Sequence, residues 1–154
     1  MVPIRPSAAR PLRLLLLMLV LLGLHAAPAQ AGCTQTPAQW SSKSGASWPA
    51  PYSRNALFFS SGLTWQQILD TPSNGNNAYL ILAHQAIAAM LSRASGASAP
   101  FAVRAVIDHA VAWFSGGPTP ASCTRACPAQ RDWASVLDLY NSGIYPGAPP
   151  LCSS

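Results

Sequence analysis

The stretch that most constrains the fold is a long apolar helical pattern that runs from Asn76 to Gly96. The asparagines at its start can cap a helix, because a short amide oxygen accepts hydrogen bonds from the first free backbone N–H groups. The glycine at its end suits a residue that leaves a helix with positive φ. We therefore predict a helix over 77–95.

This helix has more than one apolar face. At about 100° per residue, one broad stripe is apolar. Its members are Tyr79, Leu80, Ala83, Ala86, Ile87, Met90 and Leu91. Gln85, Ser92 and Arg93 fall on the opposite side, but Ile81 and Leu82 lie outside the stripe. Because the second face is also partly apolar, and its alanines leave room for close neighbours, we expect this helix to be buried on more than one side.

The N-terminal segment, 1–31, has the three parts of a secretory signal peptide. These parts are the basic residues Arg5, Arg10 and Arg13, the apolar run Leu14 to Leu24, and the small residues in Ala29-Gln30-Ala31. The apolar run is shorter than the about 20 residues needed to span a bilayer. We therefore predict cleavage after Ala31 and a mature domain over 32–154 that has no membrane span and is secreted or periplasmic.

A lipid anchor on Cys33 is the alternative, because Ala31-Gly32-Cys33 looks like the end of a lipobox. However, Gln30 stands where a lipobox has a branched apolar residue, and a polar spacer separates Cys33 from the apolar run. Lipidation would also leave three cysteines, an odd number for an oxidising compartment. These observations favour the unlipidated form.

All four cysteines, Cys33, Cys123, Cys127 and Cys152, lie in the predicted mature domain. In an exported domain of about 120 residues, an even count is typical of a disulfide framework. A metal site is the alternative, but the spacing of Cys123 and Cys127 fits neither a zinc knuckle nor a haem attachment motif. We therefore expect disulfides, with no metal and no cofactor.

Charge is scarce once the leader is set aside. The full chain has 9 basic and 4 acidic residues, and three of the arginines belong to the predicted signal peptide. The remaining six basic and four acidic side chains give a net charge of +2, with no basic cluster. We therefore predict no nucleic-acid partner, because nucleic-acid binding needs a basic patch or stripe.

Two short helices are predicted before the central one. Thr36 can cap a helix that begins with a proline, where the missing N–H costs nothing, and that ends near Gly45. Thr64 and Gln67 form a capping box, in which each side chain accepts a free backbone N–H group of the other residue. A short helix, Trp65 to Asp70, is expected to follow.

Two longer helices are predicted after it, over 98–115 and 128–142. On the outer face of the first, Arg104 and Asp108 are spaced for a weak ion pair worth a few tenths of a kcal/mol. The chain is therefore predicted to be all-α, a small bundle of about four or five helices around 77–95 with Pro-rich termini. Its expected core contains Trp65, Leu80, Ile87, Leu91, Val106, Ile107, Trp113, Trp133, Leu137 and Tyr140.

Trp40 and Trp48 are the candidate binding residues of the segment that follows Cys33. Buried packing is favoured for both, because aromatic side chains dominate core burial. A surface platform for a partner is the alternative.

Several stretches match the pattern of a widespread, mostly bacterial secreted domain that has no established activity. They are Cys33 to Thr36, Trp40, Trp48-Pro49, Thr71-Pro72, Ala78 to Gln85, Leu137 to Asn141, and Cys152. The chain resembles this family over the whole mature domain, most specifically across Ala78 to Ala89. It departs at Ala38-Gln39-Trp40-Ser41, where the family has Gly-Tyr-Trp-Lys, and it lacks the His-Pro that follows. The resemblance implies a fold and export, but no chemistry.

The disulfide pairing follows from the cysteine order together with this resemblance. Cys33 opens the mature domain and Cys152 nearly closes it, and both match cysteines of the family. Cys123 and Cys127 form an additional local pair. Of the three connectivities that four cysteines allow, we predict Cys33–Cys152 and Cys123–Cys127.

The mature domain has two histidines, and His84 is the one weak catalytic candidate. A single imidazole without a placed partner specifies no reaction, so we expect His84 to be partly buried and to hydrogen-bond a backbone or Asn partner. His109 projects away from the apolar face of its helix and should be solvated. A metal site needs three or four converging ligands, and none is predicted.

Two functions are compatible with these features. The first is an exported, non-catalytic interaction or cell-envelope-associated module whose partner is an unknown protein or envelope component. The second is a small secreted hydrolase or metal-dependent enzyme that uses His84. A pocket with a second titratable group at His84 would favour the enzyme, and a closed apolar shell would favour the module.

Overall fold

Helices make up the regular structure of the residues that the computed structural model describes, which are 32–42, 47–73, 75–124 and 127–153. They are α1 (Pro37–Ser41), α2 (Trp65–Asp70), α3 (Ala78–Ala94), α4 (Phe101–Ser115), a 3₁₀ helix (Pro120–Cys123) and α5 (Pro128–Asn141). Within these ranges there is no strand, only three isolated bridges. The all-α prediction is confirmed, while the predicted signal peptide lies outside the described residues.

The central position of α3 is confirmed, because α3 contacts every other described helix. Asn77 caps it by accepting a hydrogen bond from the Leu80 N–H at 3.2 Å. Leu82, which lies outside the predicted stripe, is fully buried. Ser92, which lies on the side opposite the stripe, is fully buried too. Its hydroxyl oxygen accepts the backbone N–H of Gln35 at 3.1 Å, because the segment before α1 crosses this end of α3.

The predicted capping box produces α2. The Gln67 N–H donates to Thr64 Oγ1 at 3.1 Å, and the Thr64 N–H donates to Gln67 Oε1 at 2.8 Å. Both ends of this helix agree with the prediction, Trp65–Asp70.

The predicted end of α1 near Gly45 is wrong. Gly45 is outside the described residues, but the helix already ends at Ser41. Distant side chains bind the last carbonyls: Gln66 Nε2 donates to the Ser41 oxygen and Arg54 donates to the Ser42 oxygen, both at 3.1 Å. These donors satisfy the end of the helix without another helical turn.

The later helices agree with the predictions apart from their ends. α4 begins at Phe101 rather than at residue 98, because Ala99 precedes a proline and therefore avoids the α region. The end of α5 is one residue earlier than predicted.

Three predicted core residues are only half-buried: Val106, Trp113 and Trp133 pack against the core from its edge. The other seven are buried. Their burial was overestimated because helical periodicity identifies the apolar face of a helix but not how deeply other elements cover that face.

Both predicted disulfides are present in the structure. Cys33 and Cys152 have Cα atoms 5.0 Å apart, and Cys123 and Cys127 have Cα atoms 5.9 Å apart. Beside the first bridge, the Thr34 N–H donates to the Pro150 oxygen at 3.0 Å and the Cys152 N–H donates to the Thr34 oxygen at 2.8 Å. Because the sulfur of Cys33 is bonded to Cys152, the structure contradicts the alternative of a lipid on Cys33.

Candidate functional site

His84 lies where α3 passes the C-terminal end of α2. Its Nε2 is 2.8 Å from the carbonyl oxygen of Ile68. Ile68 belongs to the last turn of α2, and its carbonyl oxygen also accepts the Thr71 N–H at 3.1 Å. His84 therefore closes the end of α2 and joins it to the central helix, as expected of a partly buried histidine with a backbone partner.

The environment of His84 favours the neutral imidazole. Burial lowers the pKa of His84 from its ordinary value, and hydrogen bonds to the backbone of Ile68 and Thr71 oppose this shift. A carbonyl oxygen can only accept a hydrogen bond, so the proton of the neutral ring belongs on Nε2. That nitrogen is consequently the donor, and the lone pair of the neutral ring lies on Nδ1.

An open pocket of about 450 Å³ lies beside His84, between the start of α1 and the turn that follows α2. Asp70 also lines this pocket, so the second titratable group that the enzyme hypothesis requires is present. The two groups are not coupled: Asp70 Oδ1 accepts a hydrogen bond from Gln66 Nε2 at 2.7 Å, and in the described part of the chain none joins it to His84. The pocket therefore has room for a small polar molecule but has no assembled acid–base pair.

His109 is not brought to this pocket. It is exposed on α4 and stacks on Trp133 of α5, with ring centroids 5.7 Å apart and planes at 12°. Its predicted exposure is confirmed, but the stacking was not foreseen. Among the described residues, no three His, Cys, Asp or Glu side chains lie together as metal ligands.

The two candidate tryptophans are parts of the packing. Trp40 is 1% exposed, and its indole N–H donates to Ser92 Oγ at 3.3 Å. Trp48 is half-buried, and its indole N–H donates to the Trp40 oxygen at 3.2 Å. The guanidinium carbon of Arg54 lies 4.8 Å from the centre of the Trp48 ring. The Trp40 ring therefore presents no surface to a partner, and the half-buried Trp48 ring is partly covered by Arg54.

A buried polar contact joins α3 to α5. Asn141 is fully buried, and its Nδ2 donates to Gln85 O at 2.9 Å and to Gln85 Oε1 at 2.8 Å. Gln85 Nε2 in turn donates to Asp138 Oδ1 at 3.1 Å. These residues come from α3 and α5, which are far apart in sequence and meet here. Their polar side chains hold helices together.

The sequence did not predict a second candidate site, between α3 and α4. Two cavities of about 410 and 500 Å³ adjoin there and share Arg93 and Asp108 as lining residues. We call them together the α3–α4 groove, lined by Tyr52, Met90, Arg93, Phe101, Arg104, Ile107, Asp108 and Val111 among others.

The predicted ion pair within this groove is wrong. Within the described residues, Arg104 forms no ion pair with Asp108; its guanidinium carbon lies 5.9 Å from the centre of the Phe101 ring. The sequence signal for the groove was the helical spacing of Phe101, Arg104 and Asp108, which places them on one side of α4. Nothing local to α4 indicated that Arg93, at the end of α3, would join them.

Comparisons with models of known protein families, with curated proteins and with solved structures found no match to this chain.

Proposed function

We propose that this protein is an exported, non-catalytic interaction module of the cell envelope or the extracellular space. The observation that carries the proposal is the bonding of His84: its Nε2 donates to the last turn of α2 at 2.8 Å. General acid–base catalysis needs a group that can exchange its proton with a substrate. His84 Nε2 is committed to the contact between two helices, and among the described residues no carboxylate is hydrogen-bonded to the ring to complete an acid–base pair.

The hydrogen bonds between Gln85 and Asn141, which join α3 to α5, support the same proposal. Gln85 and Asn141 lie in the stretches on which the family resemblance rests, and they bond each other in the interior. Buried polar contacts of this kind fix the packing of a core, although Asn141 Oδ1 is buried without a partner among the described residues.

Export is supported by the two disulfides together with the composition of the leader. Both bridges join cysteines of the predicted mature domain, and disulfides persist mainly in oxidising compartments. The described residues contain no helix long and apolar enough to cross a membrane. The partner we propose is a protein or another component of the envelope.

The second candidate is the small hydrolase or metal-dependent enzyme that uses His84. The pocket beside His84 favours it, because Asp70 lines the same pocket of about 450 Å³. We rank this candidate second because the Nε2 of His84 is bonded to Ile68 and Asp70 is bonded to Gln66.

Capture from the protein's own envelope fraction, with His84→Gln as the matched variant, separates the two candidates. Glutamine keeps an N–H donor for the Ile68 carbonyl but cannot act as a base. We expect the oxidised mature domain and its His84→Gln variant to retain the same partner, and a reduced, alkylated sample to lose it. The proposal is contradicted if nothing is specifically retained. A hydrolytic activity of the wild type that disappears in His84→Gln would contradict it as well.

A further inference from the structure

The α3–α4 groove contains two arginines whose guanidinium groups have no hydrogen-bond or ion-pair partner in the described chain. Arg54 donates to Gln66 and to the Ser42 oxygen, and Arg131 donates to the Asn76 oxygen at 2.7 Å. The guanidinium groups of Arg93 and Arg104, by contrast, form no hydrogen bond and no ion pair within the described residues. Arg104 lies only near the Phe101 ring, so in a chain with few charges two guanidinium groups without a carboxylate partner line one groove.

The walls between these arginines are apolar. Met90 and Val111 are half-buried, and Ile107 is 3% exposed at the base. Phe101 stands at one end with 79% of its surface exposed, the largest value among the exposed large hydrophobic residues. An exposed aromatic side chain beside apolar walls and arginine is the composition that is enriched where proteins bind proteins.

We propose that the α3–α4 groove docks a segment of a partner protein in which acidic and apolar side chains alternate. The acidic side chains would bind Arg93 and Arg104, since a guanidinium group pairs with a carboxylate through parallel N–H donors. The apolar side chains would lie on Met90, Ile107 and the Phe101 ring. This assignment rests on the proposed function and names the chemistry of its partner.

Charge complementarity selects an acidic partner of low charge. The groove has two guanidinium groups and one carboxylate, Asp108, which lines both cavities. One net positive charge does not make the basic patch that nucleic-acid binding requires. Asp108 should repel an incoming carboxylate and so limit the affinity. Removing its charge should therefore strengthen binding, whereas removing the charge of an arginine should weaken it.

Short synthetic peptides test the proposal on the oxidised mature domain. The probe alternates Asp with Leu; one control replaces each Asp by Lys, and a second replaces each Leu by Ser. We expect only the Asp–Leu peptide to shift the backbone NMR signals of 90–94 and 101–108. This binding should weaken as salt is raised, because exposed charges are screened. Shifts that lie elsewhere, or equal shifts with the Lys–Leu peptide, would overturn the assignment.

Variants of exposed groove residues provide the matched comparison. Arg93→Gln and Arg104→Gln should each weaken binding of the Asp–Leu peptide roughly tenfold, the value of one charge-assisted hydrogen bond. Asp108→Asn should strengthen it. Ala121→Glu with Ala129→Glu changes the net charge as much as the double Arg variant does, at exposed positions outside the groove, and should have little effect. Equal affinities across the set would refute the proposal.

The envelope capture separates this inference from the function on which it rests. If the wild type and the Arg93→Gln, Arg104→Gln double variant retain the same partner equally, the groove assignment is overturned and the module function remains. If the wild type retains nothing, the proposed function fails, and the partner assignment fails with it.

Discussion

The two disulfides should differ strongly in what they contribute to stability. The bridge between Cys33 and Cys152 joins residues 119 apart in sequence, whereas Cys123 and Cys127 are only 4 apart. A cross-link stabilises chiefly by restricting the unfolded chain, and the restriction grows with the logarithm of the loop length. At 25 °C this relation gives about 5 kcal/mol for the long loop and about 2 kcal/mol for the short one.

Local contacts beside the long bridge join the segment at Thr34 to the segment at Pro150 and Cys152. The extended segment at Thr34 bonds to Pro150 and Cys152 through backbone groups, and Gln39 Nε2 donates to the Cys152 oxygen at 3.3 Å. Without the bridge these contacts must be formed by two chain ends that meet unaided. We therefore expect that removing the long bridge lowers the free energy of unfolding more than removing the short bridge does. The gap should be at least the entropic difference between the two loops.

Urea unfolding of two double variants tests this expectation. The variants are Cys33→Ser with Cys152→Ser, and Cys123→Ser with Cys127→Ser, so that neither retains an unpaired thiol. Tryptophan fluorescence reports unfolding, because the buried Trp40 lies in the segment that the long bridge holds. We expect the first variant to be less stable than the second by about 3 kcal/mol. Its denaturant slope should also rise, because its unfolded state is more expanded. Equal losses, or a larger loss for the local pair, would refute the long-loop argument.

Three further perturbations address single contacts. The lowered pKa of His84 means that the unfolded chain takes up its proton first as the pH falls below about 6.5. The wild type should therefore lose stability between neutral pH and the folded-state pKa, and His84→Gln should remove that slope; parallel pH profiles would contradict this. Asn141→Ala removes the hydrogen bonds to both Gln85 oxygens and opens a cavity, so a loss of about 2–4 kcal/mol in unfolding free energy is expected in urea unfolding. A loss close to zero would mean that the hydrogen bonds between Gln85 and Asn141 are dispensable for stability. In Gly32→Ala the new Cβ would lie 2.5 Å from a backbone nitrogen. The melting temperature should fall by an amount equivalent to about 1–3 kcal/mol of unfolding free energy. An unchanged melting temperature would show that the backbone at Gly32 can move away from the neighbouring nitrogen.

Local signals predicted those parts of the fold that are determined locally. Thr64 and Gln67 satisfy each other's backbone groups within one turn, so the sequence alone placed the start of α2. The end of α1 could not be predicted in this way. Its carbonyls are bound by Arg54 and Gln66, which are distant in sequence, and nothing near Ser41 marks that interaction.

The candidate sites also divide into features set by local sequence, which were predicted, and features set by distant residues, which were not. The burial and backbone partner of His84 follow from its place at the edge of an apolar stripe, and both were predicted. Ser92 lies on the polar side of the same helix, yet it is buried by a segment that crosses α3. The α3–α4 groove escaped prediction because Arg93 and Arg104 belong to different helices, while local spacing suggested that Arg104 pairs with Asp108.

NMR of the imidazole nitrogens of His84, recorded over a pH series, tests most directly whether this histidine is structural. The account predicts a neutral ring with its proton on Nε2, slow exchange of that proton with water, and a pKa below the ordinary histidine value. It also predicts that the Nε2 signal responds to a substitution that displaces the end of α2. A ring protonated on Nδ1 when neutral, with rapid proton exchange and an ordinary or raised pKa, would contradict the account and return His84 to the list of catalytic candidates.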